Sequence, residues 1–218
     1  MARTPLLVAG ATSPDFLKTL HAINRASQDG YDLLGFLEID ESLIGTEQFG
    51  YPVLAERDVT PESHPEHAVF VNIAHTMVAK RKATDALRHR GFTTFATLIH
   101  PDVNMTDVTA GDGTVILQGT DIGPFTTIGG HCTILMGVNL NHECRVGAFT
   151  FLGPGAILLG RVSTDDGVYV GGGAIVHPNV HLGEGCIVGA GTVIRKNVPP
   201  WTVVAGNPAR TISQIPHD

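Results

Sequence analysis

The fold of this 218-residue chain is decided by a stretch in its second half, which reads IGPFTT IGGHCT ILMGVN LNHECR VGAFTF from Ile122 to Phe151 when it is divided into groups of six residues. An aliphatic residue opens every group, and the spacing continues to Ile194 with aliphatic residues at twelve of thirteen positions. The fifth residue of every group is small or β-branched. A period of six over 78 residues without an insertion is typical of a parallel β-helix, in which each group forms one short strand and one corner.

Three such groups close one triangular coil, so residues eighteen apart stack in neighbouring coils at a spacing of about 4.8 Å. We expect the first and fifth residues of each group to point into the coil. Glycine follows the aliphatic residue in seven groups, and we expect it there because corners require backbone conformations that glycine tolerates best. Cys132, Cys144 and Cys186 all fall at the fifth position, which predicts buried thiols and no disulfide.

The first half has a different composition, since only six of the 26 glycines precede residue 110. Short apolar runs alternate with amphipathic segments, which predicts an α/β domain with a small parallel, Rossmann-like sheet. We place this domain at residues 1–105 and the β-helix at residues 106–218. The predicted strands are Leu6–Ala9, Leu33–Ile39 and Ala68–Ile73, and the predicted helices are Asp15–Ser27, with Ser13 as N-cap and Pro14 at the first helical position, and Met77–Arg90, closed by Gly91.

Charge and hydropathy exclude several classes of protein. The net charge of −7 is the wrong sign for a protein that binds nucleic acid through its phosphates. No apolar run approaches the roughly 20 residues that span a bilayer, and Leu6–Ala9 is too short for the core of a signal peptide. We therefore expect a cytoplasmic protein with no nucleic-acid or membrane partner.

Three motifs narrow the class further: LIHPDV at Leu98–Val103, NHEC at Asn141–Cys144, and IVGAGTVIRKNVPPWTVVAGNPAR at Ile187–Arg210. Together with the α/β domain before the β-helix, they resemble the NeuD/PglD-like sugar acyltransferases of the hexapeptide-repeat superfamily. The resemblance implies a left-handed β-helix, a homotrimer, acetyl-CoA as co-substrate in the groove between two β-helices, no metal, and a role in polysaccharide biosynthesis. It also implies that the first domain holds a nucleotide-linked amino sugar, whose amino group is acetylated.

The candidate catalytic residues lie at one corner. His142 is the third residue of its group, so its side chain is expected to point outward, and it corresponds to the general base of the resembling enzymes. Glu143 would orient the imidazole. Gly160 follows His142 by eighteen residues, and its N–H would donate to the thioester oxygen. From the sequence alone, an ordinary surface histidine beside an acid stays open as the alternative.

The candidate acetyl-CoA residues lie on later coils. Lys196 is three coils from His142, roughly 14 Å away, which matches the reach of an extended pantetheine arm. With Arg195 and Arg210 it would receive the CoA phosphates, although the three could also be ordinary solvated charges. Gly172 and Ala190 complete this predicted set.

The candidate substrate residues lie mainly in the first domain, because ligands of open parallel sheets bind at the carboxyl ends of the strands. Gly10, Ala11 and Thr12 follow the first strand, Glu38 and Asp40 end the second, and residues 72–75 follow the third. In the β-helix, Phe151 stands nine residues after His142, where many resembling enzymes carry a second histidine. We assign it to the substrate site, with packing at a subunit interface as the alternative.

Three other functions stay open on the residues alone. A sugar O-acetyltransferase of the sialic-acid type would use the same base on a hydroxyl. A zinc enzyme like the γ-class carbonic anhydrases would need three histidines on one metal, but His142, His177 and His181 occupy different positions in their groups and should point in different directions. A non-catalytic trimeric scaffold would bind no CoA.

Overall fold

The computed structural model describes residues 3–11, 13–63, 67–72 and 77–216. The chain divides into two compact units, Met1–Leu98 and Ile99–Asp218. No helix of the described residues is long and apolar enough to cross a bilayer.

The elements of the first unit are β1 Thr4–Ala9, α1 Asp15–Ala26, β2 Tyr31–Glu38, β3 Glu47–Gln48, β4 Tyr51–Ala55, a 3₁₀ turn at Glu56–Asp58, β5 Ala68–Val71 and α2 Met77–His89. Its five strands form a sheet of order β3-β4-β2-β1-β5. All neighbours are parallel except β3 and β4, which form a hairpin through Phe49 and Gly50, both with positive φ. Phe16 of the first helix packs against Phe36 and Phe70, and Leu87 of the second helix joins Leu7 and Val69.

The α/β prediction is confirmed, with two corrections. The hairpin β3–β4 was not predicted, because β3 has only two residues and the apolar run at β4 is interrupted by Pro52. The helix α1 begins at Asp15, as predicted, but Pro14 is its N-cap and not its first helical residue, and no side chain caps the helix. Ser13 instead accepts a long 3.3 Å hydrogen bond from the Asp15 N–H. Ile73, the last residue of the third predicted strand, lies outside the described residues.

The second unit is a parallel β-helix with three faces. The first face carries β7 Thr109–Ala110, β10 Thr127–Ile128, β13 Arg145–Val146, β16 Ser163–Thr164 and β19 His181–Leu182. The second carries β6 Leu98–Ile99, β8 Val115–Ile116, β11 Thr133–Ile134, β14 Phe151–Leu152, β17 Tyr169–Val170, β20 Ile187–Val188, β22 Thr202–Ala205 and β23 Arg210–Gln214. The third carries β9 Asp121–Ile122, β12 Asn139–Leu140, β15 Ile157–Leu158, β18 Ile175–Val176 and β21 Val193–Ile194.

The strands pair in the predicted register of eighteen residues, as in Asn139 with Ile157 and Ile157 with Ile175. The first and fifth residues of the groups form one continuous core, which includes all three cysteines, each 0% exposed and none in a disulfide. Thr164 is the one non-aliphatic residue at the first position. It is 7% exposed, and its hydroxyl accepts a hydrogen bond from the Gly147 N–H at 2.9 Å.

The explanation expected for the glycines at the second position is wrong. Left-handed backbone occurs instead at the fourth position, every six residues from Asp107 to Gly191. The second-position glycines have no positive φ, but a Cβ on Gly123 would lie 2.6 Å from the His142 nitrogen in the next coil, and one on Gly171 2.5 Å from the Ala190 nitrogen. Glycine is needed there because the backbones of neighbouring coils approach too closely for a side chain.

Candidate active site

The corner that carries His142 presents a histidine–glutamate pair to solvent. His142 Nδ1 lies 2.9 Å from Glu143 Oε2, and the two side chains are 49% and 45% exposed. The fold produces this arrangement because Leu140 and Cys144 point into the core on either side, which leaves the third and fourth residues of the group outside. Glu143 takes the left-handed conformation of the fourth position, with φ of 60°.

Gly160 lies directly beneath the imidazole, as the eighteen-residue spacing predicts. A Cβ on Gly160 would stand 2.6 Å from His142 Nε2, so only glycine leaves the ring in place. The two coils are joined there by the Arg161 N–H, which donates to the His142 carbonyl at 3.0 Å. Within the described residues the Gly160 N–H has no acceptor. The corner therefore combines a histidine with a free amide donor in the adjacent coil.

Arg161 also belongs to this corner, although the sequence analysis assigned it no role. Its Nη2 lies 3.0 Å from Glu143 Oε2, the same oxygen that contacts His142. The signal was present in the sequence, because Arg161 follows Glu143 by eighteen residues. Hydrogen bonds from His142 and then from Arg161 lower the pKa of the Glu143 carboxyl below its ordinary value, so this group stays ionised where a histidine titrates.

The three basic residues predicted to bind CoA phosphates line one cleft. Arg195, Lys196 and Arg210 border a cavity of about 330 Å³, and all three are exposed. The cleft forms where the repeat ends, because β23 turns back antiparallel onto β22 and brings Arg210 opposite Ala205. Gly172 and Ala190 occupy a different corner column, where the Gly172 carbonyl accepts the Gly191 N–H at 2.9 Å.

Phe151 lies on the outside of the second face but is only 6% exposed. Its ring stacks on Tyr169 of the next coil, with centroids 4.6 Å apart and planes within 5°. In the single chain this aromatic pair is therefore packed rather than open to a ligand.

In the first unit, two hydrogen bonds join the carboxyl ends of β1 and β2. The Ala11 N–H donates to Glu38 Oε1 at 2.7 Å, and the Gly10 N–H donates to the Leu37 carbonyl at 3.0 Å. Gly10 has a φ of 95°, which favours glycine. Asn72, at the end of β5, donates to the Ser13 carbonyl at 2.8 Å, so the ends of three strands meet at this edge.

The other predicted substrate residues are not joined to this cluster. Asp40 accepts hydrogen bonds from Ser42 Oγ at 2.7 Å and from the Ser42 N–H at 2.9 Å. These bonds lower the pKa of the Asp40 carboxyl and mark it as part of an exposed local turn. Thr12 and residues 73–75 lie outside the described residues.

Among the residues that the structure describes, no cluster of side chains could hold a metal ion. His142 contacts Glu143, whereas His181 contacts Ser163 at 3.0 Å and Asp165 at 3.2 Å on the first face. His142 and His181 therefore contact different groups, and the described residues contain no cluster of three metal ligands.

A triangular β-helix of six-residue groups, with a histidine–glutamate corner and a basic cleft at its end, is typical of hexapeptide-repeat transferases. Residues 161–196 match the family model described as bacterial transferase hexapeptide (six repeats). The chain is therefore similar to the hexapeptide-repeat acyltransferases. No curated protein sequence matches it.

Solved structures extend the similarity to both units. PerB from Caulobacter crescentus, solved in complex with CoA and GDP-perosamine, is 26% identical with a TM-score of 0.84, over 96% of this chain and 97% of that one. WeeI from Acinetobacter baumannii AYE is 28% identical with a TM-score of 0.77, over 95% and 99%. The acetyltransferase domain of PglB from Neisseria gonorrhoeae FA1090 is 25% identical with a TM-score of 0.81, over 96% and 100%. These likenesses confirm the predicted fold class, an α/β domain followed by a left-handed β-helix.

Proposed function

We propose that this chain transfers the acetyl group of acetyl-CoA to the amino group of a nucleotide-linked amino sugar, with His142 as the general base. The observation that carries the proposal is the His142 corner, where Glu143 holds Nδ1 and Gly160 lies beneath Nε2. The likeness to PerB, which binds CoA and GDP-perosamine and is a perosamine N-acetyltransferase, supports the choice of substrates.

The geometry determines the role of each atom at the corner. Because Nδ1 donates to the Glu143 carboxylate, the lone pair of the neutral imidazole is on Nε2. Nε2 takes a proton from the amine as the amine nitrogen bonds to the thioester carbon. The free Gly160 N–H donates to the oxygen, which becomes negative in the tetrahedral intermediate. When the C–S bond breaks, His142 returns its proton to the departing CoA sulfur.

The basic cleft would bind the nucleotide end of acetyl-CoA. Its three cations would pair with the phosphates of the nucleotide end of CoA. Lys196 stands in the same corner column as His142 but three coils away, roughly 14 Å at the spacing of parallel strands. The pantetheine arm would cover that interval along the column, past Gly160 and Pro178. Gly172 and Ala190, which carry little or no side chain, would border the bound cofactor at another corner.

The first unit would bind the nucleotide of the acceptor. Gly10 and Ala11 lie at the carboxyl end of β1, and Glu38 holds the Ala11 N–H there. This is the edge at which parallel sheets bind nucleotides, and we propose Thr12 and Asp40 as further contacts. Phe151 would take part only where a bound substrate displaces it from Tyr169.

A substrate screen tests this function. Purified protein is incubated with acetyl-CoA and GDP-, UDP- or dTDP-linked amino sugars, and release of free CoA thiol is measured, with His142→Asn as the matched control. Thiol release that requires both an amino sugar and His142 is the expected result. Release that is equal in the variant, or that occurs only with hydroxyl acceptors, would refute N-acetyl transfer by this base.

The assembly and location are part of the same proposal. A homotrimer would let a neighbouring β-helix cover the exposed His142 corner, which a single edge of a triangular prism leaves open. Light scattering that finds an active monomer of about 23.0 kDa would contradict it. We further propose that the protein acts in the cytoplasm, in polysaccharide biosynthesis, and cell fractionation tests the location.

A further inference from the structure

One carboxylate oxygen at the catalytic corner is shared by two positively polarised groups. Glu143 Oε2 lies 2.9 Å from His142 Nδ1 and 3.0 Å from Arg161 Nη2. Glu143 and Arg161 are both fourth-position residues with left-handed backbone, at φ of 60° and 61°. Because they are eighteen residues apart, the fold stacks one above the other and directs both side chains outward at the same corner.

We infer that Arg161 is a positioning residue for His142: it holds the Glu143 carboxylate against Nδ1 and offsets its negative charge beside the imidazole. The inference rests on the proposed function only where it treats His142 as the catalytic base. The two contacts themselves belong to the described structure.

Among the residues that the two neighbouring coils present at this corner, Arg161 is the one that carries a charge. The preceding coil presents Gly123, Pro124 and Phe125, which carry no charge, and the following coil presents Leu159 and Gly160 before Arg161. On the same coil Glu143 is the acid in contact, and the next cation of the corner column is Lys196, three coils away. The lowered pKa of Glu143 keeps its charge constant where histidine titrates.

The expected size of the effect follows from the geometry. Since both nitrogens contact one oxygen, they are at most 5.9 Å apart. In the single chain all three side chains are about half exposed, so the effective dielectric there is closer to that of water than to that of a protein interior. Coulomb's law at this distance, with an effective dielectric of about 40–80, corresponds to about 0.5–1 pH unit in the titration of the imidazole.

The decisive measurement is an NMR titration of histidine-labelled protein, with the His142 signal assigned by its loss in His142→Asn. In Arg161→Ala the midpoint of the His142 titration should rise by about 0.5–1 pH unit, because removal of the positive charge stabilises the imidazolium. Arg161→Lys should restore most of the wild-type value. Arg145→Ala is the matched control, since Arg145 is an exposed arginine of the His142 coil that forms no ion pair with the residues the structure describes, and it should leave the midpoint nearly unchanged.

The acidic limb of the rate profile provides a second measurement. In Arg161→Ala the pH at which kcat falls to half should move upward by the same amount, so the loss of rate should be larger at pH 6 than at pH 8.5. An unchanged NMR midpoint in Arg161→Ala, or an equal rise in Arg145→Ala, would overturn the role of Arg161. If the midpoint moves but wild-type protein acetylates no nucleotide-linked amino sugar, the proposed function fails and the coupling of the three residues stands.

Discussion

The replacement Gly160→Ala tests the catalytic corner most directly. The added Cβ would lie 2.6 Å from His142 Nε2 and 2.8 Å from Cε1, whereas ordinary contacts begin at about 3.5 Å. The ring would have to move by nearly an ångström, which would stretch or break its 2.9 Å contact with Glu143. Gly160 has no positive φ, so alanine fits the backbone, and the half-exposed imidazole has room to swing outward.

A misplacement of about 1 Å costs on the order of 10²-fold in rate. We therefore expect Gly160→Ala to lower kcat by about 10- to 100-fold. Thermal unfolding should be unchanged or slightly raised, because alanine restricts the unfolded chain. The assay is transfer of radiolabelled acetyl groups, which remains sensitive at low rates, with circular dichroism for the melting temperature.

The double variant separates displacement of the ring from obstruction of the cofactor. In a His142→Asn background the ring is absent, so Gly160→Ala should cost much less than it does in the wild type. An equal loss in both backgrounds would show that the methyl group obstructs acetyl-CoA instead. Wild-type kcat in the single variant would refute the placement of His142 over Gly160.

Three further outcomes are expected. His142→Asn should keep the fold and CoA binding but lower kcat by about 10²–10⁴-fold, and retention of more than about a tenth of the rate would exclude base catalysis by this residue. Lys196→Gln should raise KM for acetyl-CoA by about 5- to 10-fold with little change in kcat, whereas Lys82→Gln, at an exposed lysine of α2, should change neither. An unchanged KM in Lys196→Gln would show that Lys196 does not bind acetyl-CoA. Burial raises the pKa of the Cys186 thiol to about 12, so a thiol reagent at pH 8 should leave all three cysteines of the native protein unmodified and should modify all three in guanidinium. Rapid labelling of the native protein would contradict a closed core.

The sequence alone determined the β-helix and much of its corner chemistry. A repeat of six imposes the same environment on every equivalent position, so the burial of Cys132 and the exposure of His142 both follow from their places in the group. Counting eighteen residues from His142 locates Gly160 beneath it. The same count from Glu143 locates Arg161, but the spacing by itself does not show that the two side chains form an ion pair.

The tertiary structure decided the features that depend on how closely two backbones or side chains approach. The glycines of the second position are explained by contact with the next coil, as at Gly123, and the period contains no information on that distance. The basic cleft exists because β23 folds back on β22 after the repeat has ended, where periodicity no longer predicts anything. The hydrogen bond from Ala11 to Glu38 joins two strands whose pairing register is set by packing, not by local sequence. The six-residue period determines the direction in which a side chain points. The residues that the side chain contacts depend on distances between distant parts of the chain, which only the folded structure defines.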